Sequence, residues 1–251
     1  MVPNWSKQLA TWRQHKKDEY ARVMMQDPET VNAIKAMRFP GCFLILGARR
    51  TGKTAMAHYI AHELHEKKGI PAVVHLPTVP HDVRKKIQKL LPPWMKVTLS
   101  RDEWPKGCLV IYDEAAQTAH ARRTQSGDAV DLDNLISISG QRMQMILFLA
   151  HFSRKIDPNI ATEVDGILWK EPSYAHQMFE RDELSDFTMK AFDFFRSIKD
   201  VLSKKKATLM LDLHSFNFVK FNNGLAPWWN QELSCLFEDI QNVKKEGAAK
   251  H

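Results

Sequence analysis

Short apolar runs alternate with amphipathic segments along most of the chain. The runs have the length of buried strands and lie at 42–46, 72–76, 109–112, 145–150 and 166–170. Between them, apolar residues recur with helical spacing at 53–68, 81–91 and 132–139. Strands that alternate with helices predict an α/β fold, with a mostly parallel sheet covered by helices on both faces.

The two ends of the chain show different patterns. The first part, up to residue 38, is predicted to be helical with a break near 26–30. After a long predicted helix near 174–199, apolar and polar residues alternate at 207–221, which favours an antiparallel hairpin or edge pair, and the tail returns to helix. We predict a single domain over 1–251. It has a helical N-terminal extension (1–38), a core (39–200) and a hairpin with a C-terminal helix (201–251).

Composition restricts the location and class of the protein. With 44% apolar and 26% charged residues in 251, the chain is typical of a soluble globular protein. Its apolar runs are far shorter than the roughly 20 residues of a membrane helix, so no membrane span is expected. The N-terminus lacks an apolar signal core, and the few cysteines, Cys42, Cys108 and Cys235, are scattered. We expect a cytoplasmic protein in which Cys42 and Cys108 are packed in the interior.

Charge adds a preference for polyanionic partners. The formal net charge is +7, and basic residues cluster at 13–22, 84–89, 122–123 and 204–206. Each cluster alone is more often a solvated surface than a nucleic-acid contact.

The segment LILGARRTGKTAM (44–56) contains the phosphate-binding pattern G-x-x-x-x-G-K-[ST] between a predicted strand and a predicted helix. In this pattern backbone N–H groups wrap the phosphates, Lys53 reaches the β- and γ-phosphates, and Thr54 ligates Mg²⁺. The sequence therefore predicts ATP and Mg²⁺ as ligands. The predicted nucleotide-binding residues are Gly47, Ala48, Arg49, Arg50, Thr51, Gly52, Lys53 and Thr54.

A second motif, CLVIYDEA, is an apolar strand that ends in two acids. Asp113 is predicted to hold the Mg²⁺ shell. Glu114 is placed to orient and deprotonate an attacking water. The alternative is that both acids merely begin a helix, where the helix dipole favours negative charge.

A glutamate next to the aspartate, with a strand between the loop and the acids, is typical of the P-loop ATPases that have an additional catalytic glutamate. In that group the strand at 145–150 is expected between the P-loop strand and the acid strand. His151, at the end of this strand, would lie beside the γ-phosphate and sense hydrolysis. The alternative is an ordinary histidine at a strand end.

The order of CFLILGARRTGKTAMAHYIA, CLVIYDEA, SISGQRMQMILFLAHFSRKID and WKEP resembles the FtsK–HerA superfamily of DNA-pumping ATPases. It is particularly similar to the genome-packaging ATPases of viruses with internal membranes and to the ATPase part of Zot-like proteins, over roughly 40–200. The resemblance implies a RecA-like ATPase. It also implies a ring of five or six subunits that translocates double-stranded DNA, with a virion portal or membrane vertex as a further partner. The location would be the host cytoplasm or the virion.

By position, Lys53 and Thr54 match the Walker A pair of this superfamily, and Asp113 and Glu114 match the Walker B pair. His151 occupies the sensor position, where family members commonly have Gln or Asn. The resemblance also implies an arginine supplied by a neighbouring subunit. Arg142 is the first candidate, Arg122 or Arg123 is the second, and a surface role for these arginines is the alternative.

Two other functions fit the motifs. A small nucleoside or nucleotide kinase would need an arginine lid, for which 121–127 is a candidate. A non-translocating ATP-binding assembly factor would act on proteins alone.

Two further patterns are interpreted structurally. His58, His62 and His65 share one face of the helix after the P-loop and are predicted to be solvated. Trp228 and Trp229 are predicted to anchor the terminal helix on the core.

Overall fold

The computed structural model describes residues 5–77, 79–113, 136–153 and 163–237. The helices are α1 (Trp5–Met25), α2 (Ala33–Ala36), α3 (Lys53–Lys68), α4 (His81–Leu90), α5 (Tyr174–Phe179), α6 (Asp182–Ser197) and α7 (Val201–Lys206), with a 3₁₀ turn at Arg101–Glu103. The strands are β1 (Glu29–Thr30), β2 (Gly41–Leu46), β3 (Ala72–His75), β4 (Met95–Thr98), β5 (Leu109–Asp113), β6 (Met145–Leu149), β7 (Gly166–Trp169), β8 (Ala207–Asp212) and β9 (Asn217–Asn222). Residues 136–141 and 231–237 are also helical.

The described strands form one mixed sheet in the order β1-β9-β8-β7-β2-β6-β5-β3-β4. Only β8 runs antiparallel to its neighbours, so the predicted mostly parallel sheet and the antiparallel hairpin are both confirmed. Strand β6 pairs with β2 on one side and with β5 on the other. The predicted position of this strand between the P-loop strand and the acid strand is therefore confirmed.

Both faces of the sheet are buried because alternate residues of each strand enter two separate cores. On one face Phe43 and Ile45 of β2 pack with Met56 and Ile60 of α3. On the other face their neighbours on β2 pack with residues of α1 and α6; these residues are Cys42, Leu44, Leu46, Val23, Leu184, Phe187, Ala191 and Phe195. Burial on both sides explains why the central strands are continuous apolar runs.

Helix α1 is attached to the core through its last turn. The ammonium group of Lys190, on α6, donates to the carbonyl oxygens of Val23 (3.1 Å), Met24 (2.7 Å) and Gln26 (2.7 Å). The hydroxyl of Tyr20, on α1, donates to the carboxylate of Asp186, which is also on α6. Because the last carbonyls of a helix have no partner within it, Lys190 caps α1 from a neighbouring helix.

The structure departs from the predicted elements in a few places. Strand β4 was not expected, because its four residues are too few to show a clear alternation. The side chain of Gln88 stabilises it, bonding to the oxygen of Met95 (3.0 Å) and the nitrogen of Val97 (2.8 Å) along the sheet edge. The single helix predicted near 174–199 is two helices, since Glu180 and Arg181 are extended. Helix α7 was not predicted.

None of the described helices combines the length and apolar character needed to cross a membrane.

Candidate nucleotide-binding site

The backbone of the loop between β2 and α3 favours glycine at two positions. Gly47 and Gly52 have φ values of 146° and 93°, which disfavour residues with a side chain. A Cβ atom on Gly47 would lie 2.9 Å from the carbonyl oxygen of Lys170, so a close approach also requires glycine there. The hydroxyl of Thr51 donates to the oxygen of Ala48 across the loop at 2.8 Å. Arg49 and Arg50 are exposed at the tip of the loop.

Lys53 begins α3 and turns its side chain back into the loop. It is 9% exposed, and its Nζ donates to the carbonyl oxygens of Gly47 (2.8 Å) and Ala48 (2.9 Å). The same nitrogen lies 3.1 Å from Nδ1 of His151. The residue at the end of β6 is therefore next to the lysine that is predicted to reach the β- and γ-phosphates.

Thr54 and Asp113 converge beside the loop. The hydroxyl of Thr54 donates to Oδ2 of Asp113 at 3.4 Å, and Asp113, at the end of β5, is buried. A hydroxyl and a carboxylate are hard oxygen ligands of the kind that Mg²⁺ prefers, so this pair fits the predicted metal. Glu114, Arg122 and Arg123 lie outside the described residues, and their roles remain predictions.

Arg142 lies at the amino ends of the central strands, whereas the P-loop lies at their carboxyl ends. It precedes β6, which runs parallel to β2, whereas the P-loop follows β2. Its guanidinium donates to the carbonyl oxygen of Trp104, and its own carbonyl accepts from Gly107. Within one chain Arg142 therefore stabilises the turn before β5. A role in a neighbouring subunit's site remains a prediction.

Lys170 is a residue near the site whose role the sequence did not predict. It is fully buried at the end of β7, under the P-loop. Its Nζ lies within 2.8 Å of three oxygen atoms, the carbonyl oxygens of Lys205 (2.7 Å) and Ala207 (2.6 Å) and Oδ1 of Asn223 (2.8 Å). Burial lowers the pKa of Lys170 to about 7, but these three oxygens match the three donors of an ammonium group. The only signal in the sequence is a lysine directly after an apolar strand.

The histidines of α3 face aromatic side chains. His58 is fully buried and packs against Trp229 and Phe237, and its Nδ1 accepts from Nε1 of Trp228 at 3.2 Å. His65 stacks on Trp94 with 4.0 Å between ring centroids. The predicted solvated face is therefore wrong for His58, because the C-terminal segment covers it. The predicted anchoring by Trp228 and Trp229 is confirmed.

The cysteines of the core are packing residues, as predicted. Cys42 and Cys108 are buried, and burial raises the pKa of each thiol to about 11. Both are therefore protonated thiols near neutral pH, which does not suit a nucleophile.

Comparisons with known proteins place the fold. No family model matches the sequence, and no curated protein matches it. The structure is similar to the genome packaging NTPase B204 from Sulfolobus turreted icosahedral virus 2 in complex with AMPPCP. The match has a TM-score of 0.50 and 12% identity, and it covers 74% of this chain and 99% of the other.

Two further solved structures are similar at lower scores. One is B204, the DNA-packaging ATPase from Sulfolobus turreted icosahedral virus, with a TM-score of 0.49, 10% identity and coverage of 74% and 98%. The other is the KaiC-like protein PH0186 from Pyrococcus horikoshii OT3, with a TM-score of 0.40, 14% identity and coverage of 57% and 79%.

The predicted α/β fold is confirmed, and the fold resembles that of a viral genome packaging NTPase, as the sequence motifs predicted. The chain has the RecA-like fold of the P-loop NTPases.

Proposed function

We propose that the chain hydrolyses ATP and uses the energy to translocate double-stranded DNA, as one subunit of a ring that packages a genome. The observation that carries the proposal is a cluster of four residues at the carboxyl ends of the neighbouring strands β2, β6 and β5. The four residues are Lys53, Thr54, Asp113 and His151. The fold of a packaging NTPase, matched over nearly its whole length, supports the packaging role.

Exposed basic residues support a polyanionic partner. Lys85, Lys86 and Lys89 are exposed on α4, whose apolar face is buried through Ile87. Lys205 and Lys206 are exposed on α7. Lysine side chains at such positions are available for phosphate contacts, which supply most of non-specific DNA affinity.

The residues of the site have separate tasks in this proposal. Backbone N–H groups of the P-loop and the amine of Lys53 hold the phosphates. Thr54 and Asp113 would hold Mg²⁺, which neutralises the charge that develops on the phosphate oxygens. Glu114 orients and deprotonates the attacking water, and His151 contacts the γ-phosphate beside Lys53.

The test is phosphate release from ATP by the purified protein, with and without duplex DNA, over a salt series. We expect release of phosphate without any acceptor, stimulation by duplex DNA, and loss of that stimulation as salt rises. A mass measurement of the assembly in the same buffers is expected to give the mass of five or six subunits, as for a ring.

The two alternative functions give different results in this assay. A nucleoside or nucleotide kinase would need a second substrate before ATP is consumed. An ATP-binding assembly factor would hydrolyse ATP without any response to DNA.

A further inference from the structure

Helix α5 holds the loop that follows β6 at two points. Near its first turn, Nε2 of His176 donates to the carbonyl oxygen of His151 at 2.5 Å. At its end, Oε1 of Glu180 accepts from the backbone nitrogen of Ser153 (3.1 Å) and from the Ser153 hydroxyl. The loop 151–153 is therefore fixed on both sides of Phe152, whose ring stacks on His176 with centroids 4.3 Å apart.

The hydrogen bonds of His176 determine which of its nitrogens carries the proton. The backbone N–H of Ser173 donates to Nδ1 of His176 at 3.1 Å, so Nδ1 is an acceptor. The proton of the neutral ring must then be on Nε2, which allows the donation to His151. Burial lowers the pKa of His176, which favours this neutral form.

The burial of the Glu180 carboxylate is energetically unfavourable, which is unusual for a residue whose only role is to end a helix. Its side chain is 4% exposed, and in the part of the chain that the structure describes Oε2 has no hydrogen-bond partner. Burying an unpaired polar oxygen opposes folding, and more strongly when the group is charged. Such a cost at the end of α5 points to a role at the neighbouring site rather than to stability.

We propose that His176 and Glu180 are positioning residues that fix the backbone of loop 151–153, so that the His151 ring faces Lys53 and the γ-phosphate. This inference rests on the proposed ATP hydrolysis. In this proposal both residues act on the reaction through His151 and not through contacts with the nucleotide. A displacement of about 1 Å in a reacting group is enough to slow a reaction by about 100-fold, so a loosened loop is expected to reduce turnover strongly.

Two conservative substitutions separate positioning from helix capping. His176→Gln places an amide N–H where Nε2 lies and keeps the donor to His151. His176→Asn places an amide oxygen where Nδ1 lies, so it keeps the acceptor for Ser173 and loses the donor to His151. We expect His176→Asn to lower kcat by about 10- to 100-fold, with the affinity for a fluorescent ATP analogue unchanged, and His176→Gln to stay within about threefold of wild type.

The opposite result, an active His176→Asn and an impaired His176→Gln, would overturn the proposal. It would show that His176 acts only as the helix cap that accepts from Ser173. Equal impairment of both variants would overturn the proposal as well. Glu180→Gln and Glu180→Ala test the other end of the loop, because glutamine keeps the acceptor for Ser153 and alanine removes it. If His176→Asn does not fold, an unchanged kcat in Glu180→Ala overturns the proposal.

Different experimental results would refute the proposed ATP hydrolysis and the positioning role. A wild-type protein that binds the ATP analogue but releases no phosphate would refute ATP hydrolysis. A wild-type protein that hydrolyses ATP with a normal kcat in His176→Asn would leave hydrolysis intact and refute only the positioning role.

Discussion

Lys53 and Glu114 have different tasks in the proposed reaction, and single substitutions separate them. Lys53→Ala removes a charged donor worth about 1.5–3 kcal/mol, so ATP affinity is expected to fall about 10- to 100-fold, and turnover with it. Glu114→Gln removes the general base, so it is expected to keep ATP binding and to lower turnover by about 100-fold or more. Binding of a fluorescent ATP analogue and phosphate release measure the two effects.

Lys68→Ala, at the exposed end of α3, is the matched control for Lys53→Ala and is expected to behave as wild type. Normal turnover in Glu114→Gln would contradict water activation by this residue.

The buried histidines His58 and His75 make the free energy of unfolding depend on pH. Burial lowers the pKa of His58 to about 3 and that of His75 to about 4, whereas both are near 6.5 in the unfolded chain. Between pH 6.5 and 4 the unfolded state therefore binds protons that the folded state does not. The free energy of unfolding is expected to fall by about 1.4 kcal/mol per pH unit for each residue as pH decreases.

Urea unfolding at several pH values between 7 and 4 measures this slope. His58→Gln is expected to reduce the slope by about 1.4 kcal/mol per pH unit, whatever its stability at neutral pH. His15→Gln, on the exposed surface of α1, serves as the control for replacing a histidine outside the core. A slope that is the same in His58→Gln and wild type would show that His58 is not the acid-sensitive group.

Some residues of the site could be predicted because a local motif defines them. Gly47 to Thr54 are predicted to bind phosphates through consecutive backbone groups, so their spacing in the sequence carries the information. His176 acts on a residue 25 positions away, through a contact that exists only after β6 and β7 enter one sheet. Its one local signal, Ser173 three residues earlier, is also common at ordinary helix starts.

Helix α1 depends on α6 for its last turn, and Lys190 provides the connection. Lys190→Met keeps an apolar stem of similar length but removes the donors to three carbonyl oxygens. Hydrogen bonds from a charged group contribute about 1.5–3 kcal/mol, so urea unfolding is expected to show a loss of that order. Lys89→Met, on the exposed side of α4, is expected to change stability by less than about 0.5 kcal/mol. An effect of Lys190→Met no larger than that of the control would exclude the cap.

Strands buried on both faces were predictable, and short edge elements were not. Strands β2, β5 and β6 are apolar at nearly every position because both of their faces are covered, which gives a strong local signal. Strand β4 has an exposed residue, Lys96, within four residues, and it depends on pairing with β3 and on the side chain of Gln88. Such an element is determined by its neighbours rather than by its own sequence.

The order of the central strands was predicted from the likeness of the motifs to the P-loop ATPases with an additional catalytic glutamate. In that group the strand after the acid strand lies between the P-loop strand and the acid strand, and β6 lies between β2 and β5 in this sheet. The sequence offered no comparable constraint on the outer strands β1 and β9, which pair through only a few residues.

A ring of subunits predicts complementation between two inactive variants. Arg142→Ala is expected to be inactive alone but to regain turnover when mixed with Glu114→Gln, because each subunit then supplies what its neighbour lacks. The measurement is phosphate release by mixtures shown to form joint rings. Since Arg142 also bonds to Trp104, the melting temperature of Arg142→Ala is needed as a control for folding.

An Arg142→Ala variant that folds normally and gives no complementation in joint rings would exclude this arginine as the residue supplied to a neighbour. Arg122 and Arg123 would then be tested in the same way.

The buried amine of Lys170 has a consequence for how this chain can be shortened and how it can evolve. Its partners, Lys205, Ala207 and Asn223, all lie after residue 200, so a protein cut at residue 200 would lose these three oxygens together with β8, the strand that pairs with β7. Such a fragment is expected to be insoluble. For the same reason Lys170 and Asn223 should be inherited as a pair, changing together in any descendant in which either one is lost.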